Sequence, residues 1–365
     1  MQQKVIGEEK RVFVTGNEVV AWAALAAQAD IMYGYPITPQ NEIMHYWTRL
    51  APKFGRGFLQ TEDETSAGFT TLGGVMAGRR AFTATSGPGN ILMQESACMA
   101  EMMRLPMVMV VQQRGGPSTG TVIYSQQEVT LTCFGGNGEG LRFVYSTSNH
   151  QELYDYTIKA FNTAWKHRFP TFVLGDGYQA KMREPVTLYD LDDRGIEMIP
   201  TEPYLGAEGT PGVDRLPVHL RNTYNTEDEL YAVNQELAAA YTQSAPQVAE
   251  CQTFDCDDAD IVIIAHGVVT RAAQAAIEEL RAQNIKVGHF RPITLQPFST
   301  NIFLPIAQKA KVILLAESSQ GQFAALVKRN IYGCATPMVT YLKPGEGITM
   351  EEIIDQVKKI NSQLA

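Results

Sequence analysis

IMYGYPITPQNE, residues 31–42, sets an apolar run of strand character against a turn holding two prolines and a threonine, and then opens a helix. Thr38 can cap that helix through its hydroxyl, and Pro39 suits a first helical position, where no amide hydrogen is required. Capping alone accounts for Thr-Pro. The alternative is a holding loop, because ligands of wound α/β sheets sit at the carboxyl ends of strands, beside helix amides suited to a carboxylate. Both readings stand at this point.

The same handover recurs along the first half of the chain. RVFV (11–14), NEVVAWAALAAQA (17–29), IMYGYP, a helix after Pro39, RRAFTAT (79–85), a helix through Met93 to Met103, LPMVMVV (105–111) and TFVLGD (171–176) alternate strand with helix character. That alternation predicts a doubly wound, mainly parallel sheet covered by helices on both faces. Asn17 is the expected N-cap of the first helix, with Val20, Ala23, Ala24 and Ala27 at helical spacing behind it. Beyond about 185 the pattern fades. EPVTLYDLDDRG (184–195) and the Pro- and Gly-rich run after it carry little sheet pattern, although EDELYAVNQELAAAYTQ (227–243) can form one helix. DADIVIIAHG (258–267), RAAQAAIEELRAQN (271–284), KVGHFRPI (286–293), AQKAKVILLAE (307–317), MVTYLK (338–343) and EEIIDQVKKI (351–360) then resume the alternation. The expected organisation is a first α/β domain over 1–185, an extended linker over 186–255 that packs on its neighbours, and a smaller α/β domain over 256–365.

A chain of 365 residues is long enough for two such cores. With 45% hydrophobic and 19% charged residues it reads as globular. Its net charge of −9 and the lack of a Lys/Arg stripe interleaved with aromatics argue against nucleic acid as a partner. The N-terminal stretch has no apolar core of signal-peptide length and no run is long enough to span a membrane, so a cytoplasmic location off the membrane is expected. The five cysteines are scattered except for Cys251 and Cys256 and offer neither a disulfide framework nor a zinc or iron–sulfur spacing. No metal cluster is expected in this chain.

Three further stretches invite chemistry. LQTEDETSAGFTTLGGVMAGRR (59–80) places Glu62, Asp63 and Glu64 at the start of a helix. Acids in a first turn ordinarily complement the helix dipole. The body of that helix is nevertheless rich in small residues, and interior glycine costs roughly 1 kcal/mol relative to alanine. Gly68, Gly73, Gly74 and Gly78 therefore suggest that something approaches the backbone closely. AFTATSGPGNILMQE (81–95) ends a strand in Ser86-Gly87-Pro88-Gly89, with free amides at its carboxyl end but neither a Walker nor a dinucleotide pattern. In VVQQRGGPSTG (110–120), Arg114 follows a buried strand; its planar fork suits a carboxylate, the structural alternative being an ion pair with one of the acids after Gln60. Gly175-Asp176-Gly177 resembles the start of the thiamine-diphosphate motif, but the Asn-Asn that should follow about 26 residues later is missing.

Taken together, YPITP, the E-x-E before a small-residue helix, TATSGPG, the Arg-Gly-Gly-Pro-Ser-Thr-Gly loop and GGNGEG (135–140) resemble the alpha subunit of the 2-oxoacid:ferredoxin oxidoreductases, and IVIIAHG with VGHFRPITLQPF resembles the family's second, transketolase C-terminal-like domain. The resemblance implies a pyrimidine-binding domain for thiamine diphosphate in this chain. It also implies a beta subunit with the diphosphate and Mg2+ site and a [4Fe-4S] cluster, possible gamma and ferredoxin-like delta subunits, ferredoxin as acceptor and coenzyme A as cosubstrate, in an (alpha–beta)2 or larger assembly. Register set by Gly73 and Gly78 puts the family's catalytic glutamate on Glu64, with Glu62 as fallback. Physically, a carboxylic acid at the aminopyrimidine ring nitrogen favours its imino tautomer. Thr38 and Arg114 would grip the 2-oxoacid, and Pro36, Ile37, Ser86 and Gly87 would meet the cofactor. Gln40-Asn41 is similar to branched-chain members, which act on 2-oxoisovalerate, whereas TATSGPG and RGGPSTG are closer to 2-oxoglutarate members; pyruvate is the family's other common substrate. Two alternatives are a thiamine-dependent decarboxylase or transketolase-like enzyme without ferredoxin, and a non-catalytic nucleotide-binding scaffold subunit.

Overall fold

The structure, a computed structural model, describes residues 4–206, 209 and 218–364. Residues 207–208 and 210–217 of the expected linker, and positions 1–3 and 365, lie outside the described residues. The first half runs β1 (Lys10–Thr15), α1 (Gly16–Ala26), β2 (Ile31–Gly34), α2 (Asn41–Leu50), β3 (Gly57–Gln60), α3 (Glu64–Met76), β4 (Ala81–Thr85) and α4 (Pro88–Leu92). It continues with α5 (Gln94–Met103), β5 (Val108–Gln113), α6 (Val129–Phe134), β6 (Phe143–Ser146), α7 (His150–His167), β7 (Thr171–Asp176), α8 (Gly177–Lys181) and β8 (Arg183–Leu188). A long helix α9 (Glu227–Val248) leads to β9 (Cys251–Phe254), β10 (Ile261–Ile264), α10 (Val269–Ala282), β11 (Val287–Pro292) and β12 (Thr294–Gln296). The chain closes with α11 (Thr300–Lys309), β13 (Val312–Glu317), α12 (Gln322–Asn330), β14 (Met338–Leu342) and α13 (Met350–Leu364).

The main sheet has the order β12-β6-β7-β5-β4-β2-β3, parallel throughout except for the edge strand β12. Its middle strands read as continuous apolar runs because both faces are covered. Successive residues of β5 serve opposite cores: Val108 and Val110 pack with α1, α2 and α7, while Met109 and Val111 pack with α3 and α5. Phe82 and Ala84 on β4, and Val173 against Phe172 and Leu174 on β7, divide the same way. The expected doubly wound α/β fold is what forms.

Four local readings change. RVFV lies in β1, which pairs only with β8 in a separate antiparallel ribbon; its alternating, half-exposed residues suit a solvated edge rather than a sheet interior. Thr15, not Asn17, caps α1, accepting from the Glu18 amide. Thr38 and Pro39 are turn residues, and α2 starts later, at Asn41, with Gln40 before it and no side-chain cap. The helix expected through Met93 to Met103 is two helices that meet at Met93.

The second sheet, β14-β13-β10-β11-β9, is parallel apart from β9, a strand that arises inside the stretch expected as linker. One face of it (Ile261, Ile263, Leu314, Ala316) packs under α10 and α13. The other (Val262, Ile264, Ile313, Leu315) shares a buried cluster with the α3 and α5 side of the first sheet. Between the sheets, β12 returns to pair with β6, Arg291 Nη1 donates to Glu152 Oε1 at 2.5 Å, and Gln126 Nε2 donates to the His266 carbonyl at 2.7 Å. The two units are thereby held by strand pairing, apolar packing and buried polar bonds together.

The glycines of α3 divide by what stands over them. A Cβ on Gly74 would come 2.8 Å from the Tyr33 ring and 3.0 Å from Ala81 Cβ, and one on Gly68 would collide with Ser96, whereas nothing lies within 4 Å at Gly73. Gly78 falls just past the helix at φ +76°, against the backbone of Pro203. Gly74→Ala is therefore expected to cost roughly 1–3 kcal/mol by overpacking, while Gly73→Ala adds about 0.5–1 kcal/mol through helix propensity. Thermal melts of the two variants should move in opposite directions.

Candidate active site

Because β2, β3, β4 and β5 are parallel neighbours, their carboxyl ends open at one edge, and the three glycine- or proline-rich loops and the start of α3 meet there. Asp63 caps α3 by accepting from the Ser66 amide at 2.7 Å, which makes Glu64 the first helical residue. Glu64 is 5% exposed and lies against Gly89: a Cβ there would stand 2.7 Å from Glu64 Oε1. Burial lifts the Glu64 carboxyl above the usual range, its own amide and Arg114 opposing and Asp63 adding to the rise. Glu62 is exposed and takes the Ser66 hydroxyl at 2.8 Å.

Arg114 leaves β5 with 6% exposure. Its Nη1 donates to the Thr38 carbonyl at 2.9 Å, its main-chain amide donates to Glu128 Oε2 at 3.0 Å, and a Cβ on Gly87 would stand 2.6 Å from its Nε. The ion pair with an acid after Gln60 does not form: among the described residues no carboxylate lies at salt-bridge distance from this guanidinium. Gly87, at φ +52°, gives the Ser86–Gly89 turn the left-handed step that lets the arginine lie flat upon it. The Arg114 Nε, the Thr85 hydroxyl and the Ser86 hydroxyl are all buried without a hydrogen-bond partner. Pro36 is exposed, and Ile37 and Thr38 are half-buried. The turn carrying them is pinned from below, where Asn17 Nδ2 donates to the Pro39 carbonyl at 2.6 Å and Gln40 Nε2 to the Tyr35 carbonyl at 2.8 Å.

An acid whose pKa burial raises, an arginine with an unpartnered Nε and two unpartnered hydroxyls on neighbouring strand ends make this cluster a candidate site for polar ligands. Asp176, of the incomplete thiamine motif, is by contrast occupied: it caps α8, accepting from the Gln179 amide at 2.8 Å, and burial raises its pKa to about 7. The residues that motif reading missed are Asn17, Gln40, Asn90 and Glu128, whose side chains hold the loops from behind; the one sequence signal was an acid, Glu128, opening an apolar helical turn soon after a glycine-rich loop.

Residues 22–252 match the family described as pyruvate flavodoxin/ferredoxin oxidoreductase, thiamine diphosphate-binding, and residues 259–353 match pyruvate:ferredoxin oxidoreductase core domain II. The chain belongs to the 2-oxoacid:ferredoxin oxidoreductase family. It is 32% identical to the ketoisovalerate oxidoreductase subunit VorB of Methanothermobacter marburgensis, over 95% of this chain and 97% of that protein. It is 31% identical to the 2-oxoglutarate synthase subunit KorA of Methanothermobacter thermautotrophicus, over 96% and 98%. Among solved structures, the 2-oxoglutarate:ferredoxin oxidoreductase of Magnetococcus marinus superposes with a TM-score of 0.86 at 25% identity, covering 96% of this chain and 65% of that one, so the chain spans about two thirds of that protein's length. A split-gene transketolase, at TM-score 0.56, 14% identity and coverage of 94% of this chain and 96% of that one, shares the fold. Membership makes the chain a component of an oxidoreductase with a thiamine diphosphate-binding domain, and disfavours a ferredoxin-independent enzyme or a scaffold subunit. Among the described residues no helix is long and apolar enough to cross a membrane.

The raised pKa of Asp176 gives a pH signature. The native state keeps this proton to higher pH than the unfolded chain, so the stability it contributes is complete below about pH 4 and is lost as pH rises to about 7. Asp176→Asn keeps an oxygen for the Gln179 amide and removes the buried charge. The variant is expected to melt higher than the wild type above pH 7, by on the order of 1–4 kcal/mol, and the gap should close near pH 4 in melts across that range.

Proposed function

We propose that this chain supplies the pyrimidine side of a thiamine diphosphate site and the grip on the 2-oxoacid in a 2-oxoacid:ferredoxin oxidoreductase, which converts the 2-oxoacid to acyl-CoA and carbon dioxide. The observation that carries the reading is Glu64, buried, raised in pKa and set among unpartnered polar atoms at the joint carboxyl end of four strands. Bound thiamine diphosphate supplies the electron sink that decarboxylation needs.

Glu64 holds a proton on its carboxyl, and donates that hydrogen bond to the aminopyrimidine ring nitrogen. Desolvation raises the pKa of this acid and so favours its protonated, donating form, which makes the surrounding wall part of the chemistry. Thr85 lies beside Glu64 against Gly89, and Ser86 and Gly87 continue the wall on which the ring lies, with Pro36 and Ile37 facing them. Arg114 presents its unpartnered Nε edge to the carboxylate of the 2-oxoacid while Nη1 stays anchored on the Thr38 carbonyl, and the Thr38 side chain takes the keto oxygen.

The diphosphate, Mg2+ and [4Fe-4S] cluster belong to a beta subunit in this reading. It is supported by Asp176, whose carboxyl is committed to its own helix cap, and by the Ile91, Leu92, Phe69 and Leu59 side chains left exposed on α4, α3 and β3. Gamma and ferredoxin-like delta subunits, ferredoxin and coenzyme A complete the proposed assembly, an (alpha–beta)2 or larger particle working in the cytoplasm. The substrate is taken as a 2-oxoacid of the 2-oxoglutarate or branched-chain kind, the two groups to which the relatives belong by name.

In the complete complex, Glu64→Ala is expected to abolish 2-oxoacid-dependent reduction of a low-potential acceptor without loss of assembly; turnover at the wild-type rate would reject the assignment. Arg114→Ala should act differently, raising KM for the 2-oxoacid by about tenfold or more with a smaller change in kcat. Steady-state assays on both variants separate the two roles.

A further inference from the structure

The loops that carry the proposed substrate and cofactor contacts have no shared secondary structure, yet Arg114 must sit over the Ser86–Gly89 turn to within a fraction of an ångström. One carboxyl group fixes that distance. Glu128, at the mouth of α6, is 5% exposed. Its Oε2 accepts the main-chain amide of Arg114 at 3.0 Å, and its Oε1 accepts Nδ2 of Asn90, the residue that follows the Ser86–Gly89 turn, at 3.2 Å. The main-chain amide of Glu128 donates in turn to Gln113 Oε1 at 3.3 Å, and Gln113 Nε2 donates to the Gly175 carbonyl at 3.1 Å, tying the group to β5 and β7.

We infer that Glu128 is the positioning residue of this site: its carboxylate clamps Asn90, at the end of the Ser86–Gly89 turn, to the Arg114 backbone and thereby sets where the guanidinium meets the 2-oxoacid. It does not touch substrate in this arrangement; it acts through Arg114. The inference rests on the proposed role of Arg114 and deepens it.

The donors around Glu128 leave no room for an amide. One is a main-chain N–H group, that of Arg114, which cannot reverse. The other, Asn90, cannot flip, because its Oδ1 accepts Gln94 Nε2 at 2.8 Å and its Nδ2 also donates to Thr132 Oγ1 at 3.1 Å. Gln94 is locked in its turn by Arg142, whose Nη1 donates to Gln94 Oε1 at 2.8 Å. A glutamine at 128 would therefore point its NH2 at a donor in either rotamer and open the clamp. Burial lifts the Glu128 carboxyl to a pKa of about 6, against the pull of these donors and of Arg114, so the group is a carboxylate acceptor at neutral pH.

The test uses the complete complex and steady-state kinetics with the 2-oxoacid that the wild type turns over. Glu128→Gln is expected to raise KM by about tenfold, equivalent to about 1.4 kcal/mol, with kcat within about threefold of wild type, alongside a lowered melting temperature from the mispaired buried donors. Glu128→Asp keeps the charge but is one methylene short, and is expected to fall between, at about threefold in KM. If Glu128→Gln does not assemble, Glu128→Asp alone decides. A wild-type KM in either assembled variant overturns the inference, as does a loss confined to kcat and melting temperature, which is what a merely structural role would give. Should Arg114→Ala also leave KM unchanged, the role of Arg114 fails; should Arg114→Ala raise KM while Glu128→Gln does not, the inference about Glu128 alone fails.

Discussion

The Arg114 guanidinium, flat on Gly87 and bonded to the Thr38 carbonyl, ties together the exits of three parallel strands. Everything around it follows from the sheet. Strands buried on both faces must be linked by helices, so every chain exit on one edge faces the same way, and loops distant in sequence are brought within a side chain's length. An arginine at that edge has little water to solvate it and is held by backbone oxygen instead. The protein thus keeps a charged fork in a fixed plane with one edge unused.

Orphaned polar atoms are costly, on the order of 1–3 kcal/mol each when no partner is found. They occur away from the site as well: both ring nitrogens of His289, inside the second sheet, are buried without a partner. What distinguishes the edge of the first sheet is convergence. Arg114 Nε and the Thr85 and Ser86 hydroxyls lie at neighbouring strand ends beside a carboxyl whose pKa burial raises, and the proposed cofactor and 2-oxoacid would together give them partners.

Much of this was legible in the sequence because strong signals were local. Continuous apolar runs announced β4, β5 and β7, and the glycine pattern of α3 fixed a register that separates Glu64, buried, from Glu62, exposed. Where readings went astray, the deciding partner was remote. RVFV has strand character whichever sheet it joins, and only its pairing with β8 sends it to the ribbon. Asn17 sits where an N-cap would be expected, but the helix already begins at Gly16, so Thr15 takes that role and Asn17, inside the first turn, donates its Nδ2 to the Pro39 carbonyl and Glu42 across the turn. Glu128 carries no motif at all. Its importance lies in two donors from other segments, the Arg114 amide and the Asn90 side chain, and no spacing rule encodes that.

The second domain contributes none of the side chains at the site, yet it governs the segment that does most to shape it. Between Arg114 and α6 the chain leaves the first sheet, and at Gln126 it is gripped by the other unit: its amide donates to the Ser318 carbonyl, its Oε1 accepts the Ser318 amide, and its Nε2 reaches the His266 carbonyl. Gln322, at the start of α12, holds the segment further on by donating to the Gln127 carbonyl and accepting the Thr130 amide. Glu128 lies between these anchors. A loop of that length fixed only at its β5 end would sample many arrangements, at an entropic cost to any one of them. Fixed at both ends, it delivers Glu128 to the end of the Ser86–Gly89 turn at little further cost, which makes the second domain a brace for the first domain's chemistry and explains why the two are joined by buried polar bonds rather than by a loose linker.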